Sequence, residues 1–224
     1  MISQLQDLLN KYIRKYKFYG QFQYPVDKFI FDRYFRNKKH GIFVECGAYD
    51  GQTECSCKFF EEFREWKGYN LEPVPWLFKQ LKKNRPESIN LNLALSNKNG
   101  EAAFNAVNHP DYGLNCTNGS LAHSDSHLKI LKEMQVSFKK VTVQCITWDN
   151  FIKSQKISHI DLLVLDVEGH ELEVLEGMSK KSILPQVFCI EFGHLNFEQI
   201  KQKLEKLGYR FDLIQDANAY FIKK

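Results

Sequence analysis

No apolar run in this chain approaches the roughly 18 residues that a membrane-spanning helix needs, although 43% of its residues are hydrophobic. The start, Met1-Ile2-Ser3-Gln4, lacks a basic segment running into an apolar one, so secretion by signal peptide is not expected. Cysteine forms no framework: the six, at 46, 55, 57, 116, 145 and 189, have no regular spacing. Cys55-Ser56-Cys57 lacks the two-residue gap of a redox or zinc pair, and no second pair answers it. Reduced thiols and a cytoplasmic protein are therefore expected. Repeats and low-complexity segments are absent. So are the two common phosphate cradles, G-x-G-x-x-G and the Lys-Ser/Thr phosphate loop.

What is present is an ordinary globular composition with 26% charged residues in a 224-residue chain, which suits one α/β domain. Residues 1–40 hold nine Lys or Arg against three Asp, so the basic character sits in this arm and the remainder sums to about −2. Ile2, Leu5, Leu8, Leu9, Tyr12, Ile13 and Tyr16 recur at helical spacing and predict an amphipathic helix over 2–18, with a second short helix over 27–36. The arm is read first as a cap on the domain or on a second copy of the chain. Peripheral contact with a membrane or a lipid-linked substrate is the next reading. Nucleic acid is disfavoured because no binding module surrounds the basic residues.

From residue 41 the pattern alternates strand and helix. Strands are predicted at 42–46, 68–72, 88–95, 102–107, 141–146, 160–167 and 187–192, with a closing hairpin at 211–214 and 219–222. Helices are predicted at 52–64, after Pro75, at 148–152, 170–178 and 196–207. Residues 108–127 read as a long loop over the site. Four strand exits carry an acid: Glu45, Glu72, Asp166 and Glu191. These fall at the carboxyl edge of a mostly parallel sheet, where open α/β folds bind ligands. Glu72 follows Gly51 by 21 residues, near the spacing at which an acid meets ribose hydroxyls. A crevice lined with carboxylates would repel a pyrophosphate and favour a cationic adenosyl compound, of which S-adenosylmethionine is the obvious one. Its carboxylate could use the helix start expected at Gln52 and Thr53.

The segments FVECGAYDG (43–51), GYNLEP (68–73), LNLALS (91–96), IDLLVLDVEGHELEVLEGM (160–178) and CIEF (189–192) resemble FkbM-type methyltransferases, in order and at suitable spacing. The resemblance implies a class I, Rossmann-like fold with a mostly parallel seven-stranded sheet and a C-terminal antiparallel hairpin. It also implies S-adenosylmethionine as cofactor and methylation of a hydroxyl on a sugar, lipid-linked glycan or other small acceptor. Carried over by position, it puts cofactor contacts at Glu45, Gly47, Tyr49, Asp50, Gly51 and Thr53 in the glycine loop. Further contacts fall at Glu72 and Pro73, at Ser96, and at Asp166. The chain departs from many relatives at Glu45, Tyr49 and Val164. Residues 1–40 would be an extension to a methyltransferase domain over 41–224.

An alcohol acceptor benefits from a base that takes its proton. His170, at a helix start that would keep its imidazole neutral, is the first candidate, with Glu168 and Asp166 as rivals and His194 as a fourth. His123, Asp125 and His127 invite a metal reading, but without a fourth ligand they are read as solvated loop or acceptor contacts, and no metal is assigned. Two other functions stay open at this point: an NAD(P)-dependent oxidoreductase on a related fold, and a non-catalytic cofactor-binding scaffold. A homo-oligomer is also compatible with the sequence.

Overall fold

A computed structural model describes residues 16–193 and 195–224. The helix expected over 2–18 falls almost wholly outside these residues, as does His194.

The central sheet has seven strands: β1 (Ile42–Cys46), β2 (Lys67–Leu71), β3 (Ile89–Leu91), β7 (Leu162–Leu165), β8 (Val187–Glu191), β9 (Tyr209–Gln215) and β10 (Asn218–Lys223). Their order is β3-β2-β1-β7-β8-β10-β9. The first five run parallel, and β10 pairs antiparallel with both β8 and β9. This is the expected fold class. The order reverses between β1 and β7, so a crevice opens there at the carboxyl edge.

Strand alternation divides the core into two layers. Val44, Leu163, Leu165, Phe188 and Ile190 face one side. There they meet helices α5 (Trp148–Ser154), α6 (Glu171–Glu176) and α7 (Phe197–Leu207). Phe43, Leu162, Val164, Val187 and Cys189 face the other. That side is covered by α1 (Val26–Ile30), its π-helical continuation Phe31–Phe35, and α2 (Lys58–Arg64). Residues 26–35 thus supply part of the layer that closes the sheet, through Val26, Ile30, Phe31 and Phe35.

Three expectations change. The helix predicted to start near Gln52 begins only at Lys58, because the Asp50 carboxylate accepts the N–H groups of Gln52 and Thr53 and holds that stretch as a turn. The strand expected over 88–95 is two short strands in different sheets. After β3 the Asn92 amide donates to the carbonyls of Glu72 and Pro73, and β4 (Ala94–Leu95) joins a second sheet. That sheet, β4-β6-β5, pairs β4 with β6 (Ser137–Ile146), which in turn runs antiparallel to β5 (Gly100–Asn108). Finally, helix α4 (Asp125–Glu133) follows the long loop, its first turn capped by the Ser124 hydroxyl, which accepts the His127 N–H. Helix α3 (Pro75–Asn84) starts at proline as expected. All six cysteines are free and buried, and among the described residues no helix is long and apolar enough to cross a membrane.

Candidate functional site

A cavity of about 190 Å³ lies at the β1/β7 switch point. One wall carries Gly47, Tyr49, Thr53, Glu54, Glu72, Pro73, Asp166, Glu168, His170 and Glu191, all from the central sheet's carboxyl edge and its loops. The facing wall is Phe104 and Ala106 of β5 with Leu114 and residues 116–119 and 121. The Trp76 indole N–H donates to the Leu114 carbonyl at 2.9 Å, and the Tyr49 hydroxyl to the Asn115 carbonyl at 2.6 Å. These two bonds tie the second wall to the first.

The glycine turn is built by crowding. At Gly47, with φ +80°, an added Cβ would meet the Asp166 carbonyl oxygen at 1.8 Å. Gly51, φ +75°, sits against Leu81 and Arg85 and does not line the cavity. The turn's amides are already engaged. Gly47 and Ala48 donate to the Leu71 carbonyl, Gly51 to Ala48, Tyr49 to Glu72 Oε2, and Gln52 and Thr53 to Asp50. With no helix start at Gln52 and these N–H groups taken, the turn is not the anion cradle expected from the sequence. Asp50 serves as its staple, bonding the Thr53 hydroxyl as well.

Glu45 is displaced from the role expected of it. Alternation puts its side chain on the Phe43 face of the sheet, away from the cavity. There it forms an ion pair with Arg85 Nη1 at 3.3 Å and accepts from Ser56 N–H and the Cys55 thiol. Arg85, with its side chain wholly buried, also binds Glu61 at 2.7 Å.

Glu72 stays at the cavity. Its two oxygens accept from Val74 N–H at 2.8 Å and Tyr49 N–H at 3.0 Å, which orients it. Burial pushes its pKa up to about 8, against the pull of those two amides.

Asp166, Glu168 and Glu191 each bring an oxygen within 4.8 Å of the others. Such a group shares protons or receives a cation. Asp166 is reached through the cavity yet ringed by protein, and burial, then the Glu191 carboxylate, holds its pKa well above the usual range. Burial, then Asp166, raises Glu168 to about 8; burial, then Glu168, raises Glu191 to about 7.

Glu168 is presented by a strained turn, with φ +57° at Glu168 and +102° at Gly169. The buried Glu171 carboxylate fixes this turn by accepting the N–H groups of Val167 at 2.9 Å and Gly169 at 3.1 Å. Asn118 donates to Glu168 Oε1 at 3.1 Å, and His127 Nδ1 lies 3.7 Å from Oε2. His127 is 1% exposed, so it is no part of a solvated loop. Among the described residues the three-carboxylate cluster is the group whose ligand atoms converge, and His123, Asp125 and His127 do not form one.

His170 makes no side-chain cap to its helix. Its Nε2 lies 3.0 Å from the Ser96 hydroxyl and its Nδ1 3.6 Å from Glu173, and burial lowers its pKa, leaving it neutral. Ser96 is buried behind His170 and does not line the cavity.

The sequence reading missed Glu54, Asn118 and the β5 wall. It named Glu191 as a strand exit without giving it a site role. Asn118 stands in a stretch without periodicity, and its partner is 50 residues away. Phe104 and Ala106 carried only an alternating strand pattern as a signal.

The chain is similar to known proteins along most of its length. The Methyltransferase FkbM domain matches residues 45–211. The hexuronic acid methyltransferase AglP of Haloferax volcanii is 31% identical over 83 residues, which are 37% of this chain and 35% of AglP. A crystal structure of the FkbM methyltransferase of Methylobacillus flagellatus superposes with a TM-score of 0.55 at 13% identity, over 84% of this chain and 46% of that one. A TehB-like methyltransferase from Corynebacterium glutamicum gives a TM-score of 0.47 at 12% identity, over 99% of this chain and 97% of that one. The chain thus spans about a third of AglP and under half of the M. flagellatus protein.

Proposed function

The chain belongs to the FkbM methyltransferase family, and we propose that it is an S-adenosylmethionine-dependent O-methyltransferase acting on a hydroxyl of a sugar, glycan or other small acceptor. The observation that carries this reading is the cavity at the switch point, with Glu72 oriented by two backbone amides and three converging carboxylates beside it. AglP, 31% identical over 83 residues, is a hexuronic acid methyltransferase, which supports a sugar as acceptor.

The residues fit the donor. Glu72 keeps lone pairs free to accept ribose hydroxyls, and Gly47 lets the main chain of Asp166 pack directly against the turn beside the cavity. Asp166 offers negative charge to the cationic methionine portion. A turn whose amides are engaged has little to offer a pyrophosphate, which favours this donor over a dinucleotide. S-adenosylmethionine, when bound, supplies a methyl group on a sulfonium that is already electrophilic.

What the protein must add is alignment, water exclusion and a proton acceptor. The Tyr49 and Trp76 latches hold the second wall over the cavity. Glu168 takes the base role: its carboxylate lies in the cavity, and burial raises its pKa to about 8, so its ionised form is a stronger base than an ordinary carboxylate and gains population as pH rises or a cation binds beside it. A Glu168 carboxylate oxygen would take the proton of the acceptor hydroxyl. His170, its Nε2 engaged with the Ser96 hydroxyl, lines the cavity instead. Calorimetric titration with S-adenosylmethionine, its demethylated product and NAD tests the reading. Binding of the first two and not the third is expected, and NAD binding alone overturns it.

A further inference from the structure

Gln21 lines the cavity together with Thr53 and Glu54, although the FkbM match begins only at residue 45. The chain before β1 is built to hold it there. The wholly buried Asp27 carboxylate accepts the N–H groups of Tyr19 at 2.7 Å, Gly20 at 3.2 Å and Lys28 at 2.9 Å, pinning residues 19 and 20 against the start of α1. A Cβ at Gly20 would come within 2.6 Å of the Val26 nitrogen, so the turn admits no side chain there. Phe18 stacks on Phe59 with ring centroids 4.6 Å apart, and the Tyr19 hydroxyl donates to Glu62. Both partners belong to α2, which directly follows the loop that brings Thr53 and Glu54 to the cavity. Phe22, the next residue along, is held at φ +77°, a conformation that a bulky side chain adopts only under constraint. Gln21 itself is exposed, and among the described residues its amide has no hydrogen-bond partner.

S-adenosylmethionine carries a carboxylate beside its two positive charges, and that carboxylate needs hydrogen-bond donors. Among the described residues the lining offers it no Lys or Arg, and the amides of the glycine turn are taken. The other side-chain donors are mostly committed: Tyr49 to Asn115, Thr53 to Asp50, Asn118 to Glu168, and His170 Nε2 to Ser96. Thr117 stands on the facing wall. Gln21 enters from the side of Glu54, whose charge reaches Asp166 and Glu191, and so from the end where the methionine portion would lie. We propose that Gln21 belongs to the donor site: its side-chain amide donates to the carboxylate of the methionine portion, and Asp27 is the positioning residue that keeps it at the rim. This rests on the methyltransferase reading above, and it makes the segment before β1 a working part of the site.

The test is calorimetric titration of the full chain with S-adenosylhomocysteine and with methylthioadenosine, which keeps the adenosine and the sulfur but lacks the amino-acid end. Gln21→Ala should weaken S-adenosylhomocysteine binding about 10-fold, the weight of a hydrogen bond to a charged group. Gln21→Glu sets a like charge against the carboxylate and should weaken it further. Both variants should bind methylthioadenosine as the wild-type chain does and keep its thermal midpoint, since Gln21 is exposed. Asp27→Asn should lower the midpoint and show the same split between the two ligands. A loss confined to S-adenosylhomocysteine supports the assignment. Equal losses for both ligands, or no loss in either Gln21 variant, overturn it. Failure of the wild-type chain to bind S-adenosylhomocysteine removes the methyltransferase reading itself.

Discussion

Gly47 lies directly against the main chain of Asp166, so close that a Cβ at position 47 would come within 1.8 Å of the Asp166 carbonyl oxygen. The contact joins the exits of β1 and β7, and both residues line the cavity. Because Gly47 also has φ +80°, Gly47→Ala meets both a steric and a conformational barrier. A loss of at least about 2 kcal/mol in stability is expected, with donor binding lost in the fraction that folds. Urea denaturation and calorimetry measure the two effects.

Glu45 and Glu72 should behave oppositely. Glu72→Ala removes the partner of two buried amides and the acid facing the cavity. Donor affinity should fall about 10–100-fold, the weight of hydrogen bonds to a charged group. Glu45→Gln should leave donor affinity within a few-fold and lower stability instead. Equal losses of affinity in the two variants would put Glu45 back in the site.

Arg85 holds two acids at once, the buried Glu45 and the partly buried Glu61. Arg85→Met leaves Glu45 and Glu61 without their cation, and a destabilisation of about 3–5 kcal/mol is expected from the uncompensated charge. The double variant Arg85→Met with Glu45→Gln should recover part of it. Denaturant midpoints for the four proteins of this cycle decide the matter.

Glu168→Gln should lower kcat about 100-fold or more while changing the donor Kd little, since it removes the proton acceptor and keeps the shape. His170→Gln should lower kcat less. A reversal of these two effects would assign the base to the imidazole.

The acid cluster also dictates a pH dependence. Glu72 and Glu168 rise from an ordinary 4.5 to about 8, and Glu191 and Glu171 to about 7. Between these limits the folded protein binds more protons than the unfolded chain, so stability falls as pH rises from about 5 to about 8. A cationic donor favours the ionised acids, so its stabilising effect should grow over the same window. Thermal denaturation with and without S-adenosylmethionine at pH 5.5, 6.5 and 7.5 shows whether the two curves diverge as pH rises, as this account requires.

The central sheet was legible because buried parallel strands leave apolar runs that end abruptly in an acid, as in Leu162–Asp166. The acids themselves were legible as a set, but not which face each one takes. Glu45 follows an apolar run like the others. Its partner Arg85, 40 residues on, gives no local sign of pairing with it. The expected helix at Gln52 failed because Asp50 competes for the same N–H groups through its side chain. Ser88 to Leu95 looks continuous in hydropathy, and only the bonds of Asn92 to the Glu72 and Pro73 carbonyls reveal the break. Helix α4 had a readable cap in Ser124 and Asp125 and inward positions at His127 and Leu131, hidden by the polar run before it.

The two walls of the cavity hang from separate ladders, the acids from the seven-stranded sheet and Phe104 and Ala106 from the β4-β6-β5 sheet, and they meet through the Tyr49 and Trp76 latches, the bonds of Asn118 to Glu168 and of Ser120 to Val167, and the packing of Phe104 and Ala106 with Val74 and Leu77. Exchanging β5, β6 and the stretch between them would therefore reshape the acceptor side of the cavity and at the same time release Glu168 from Asn118.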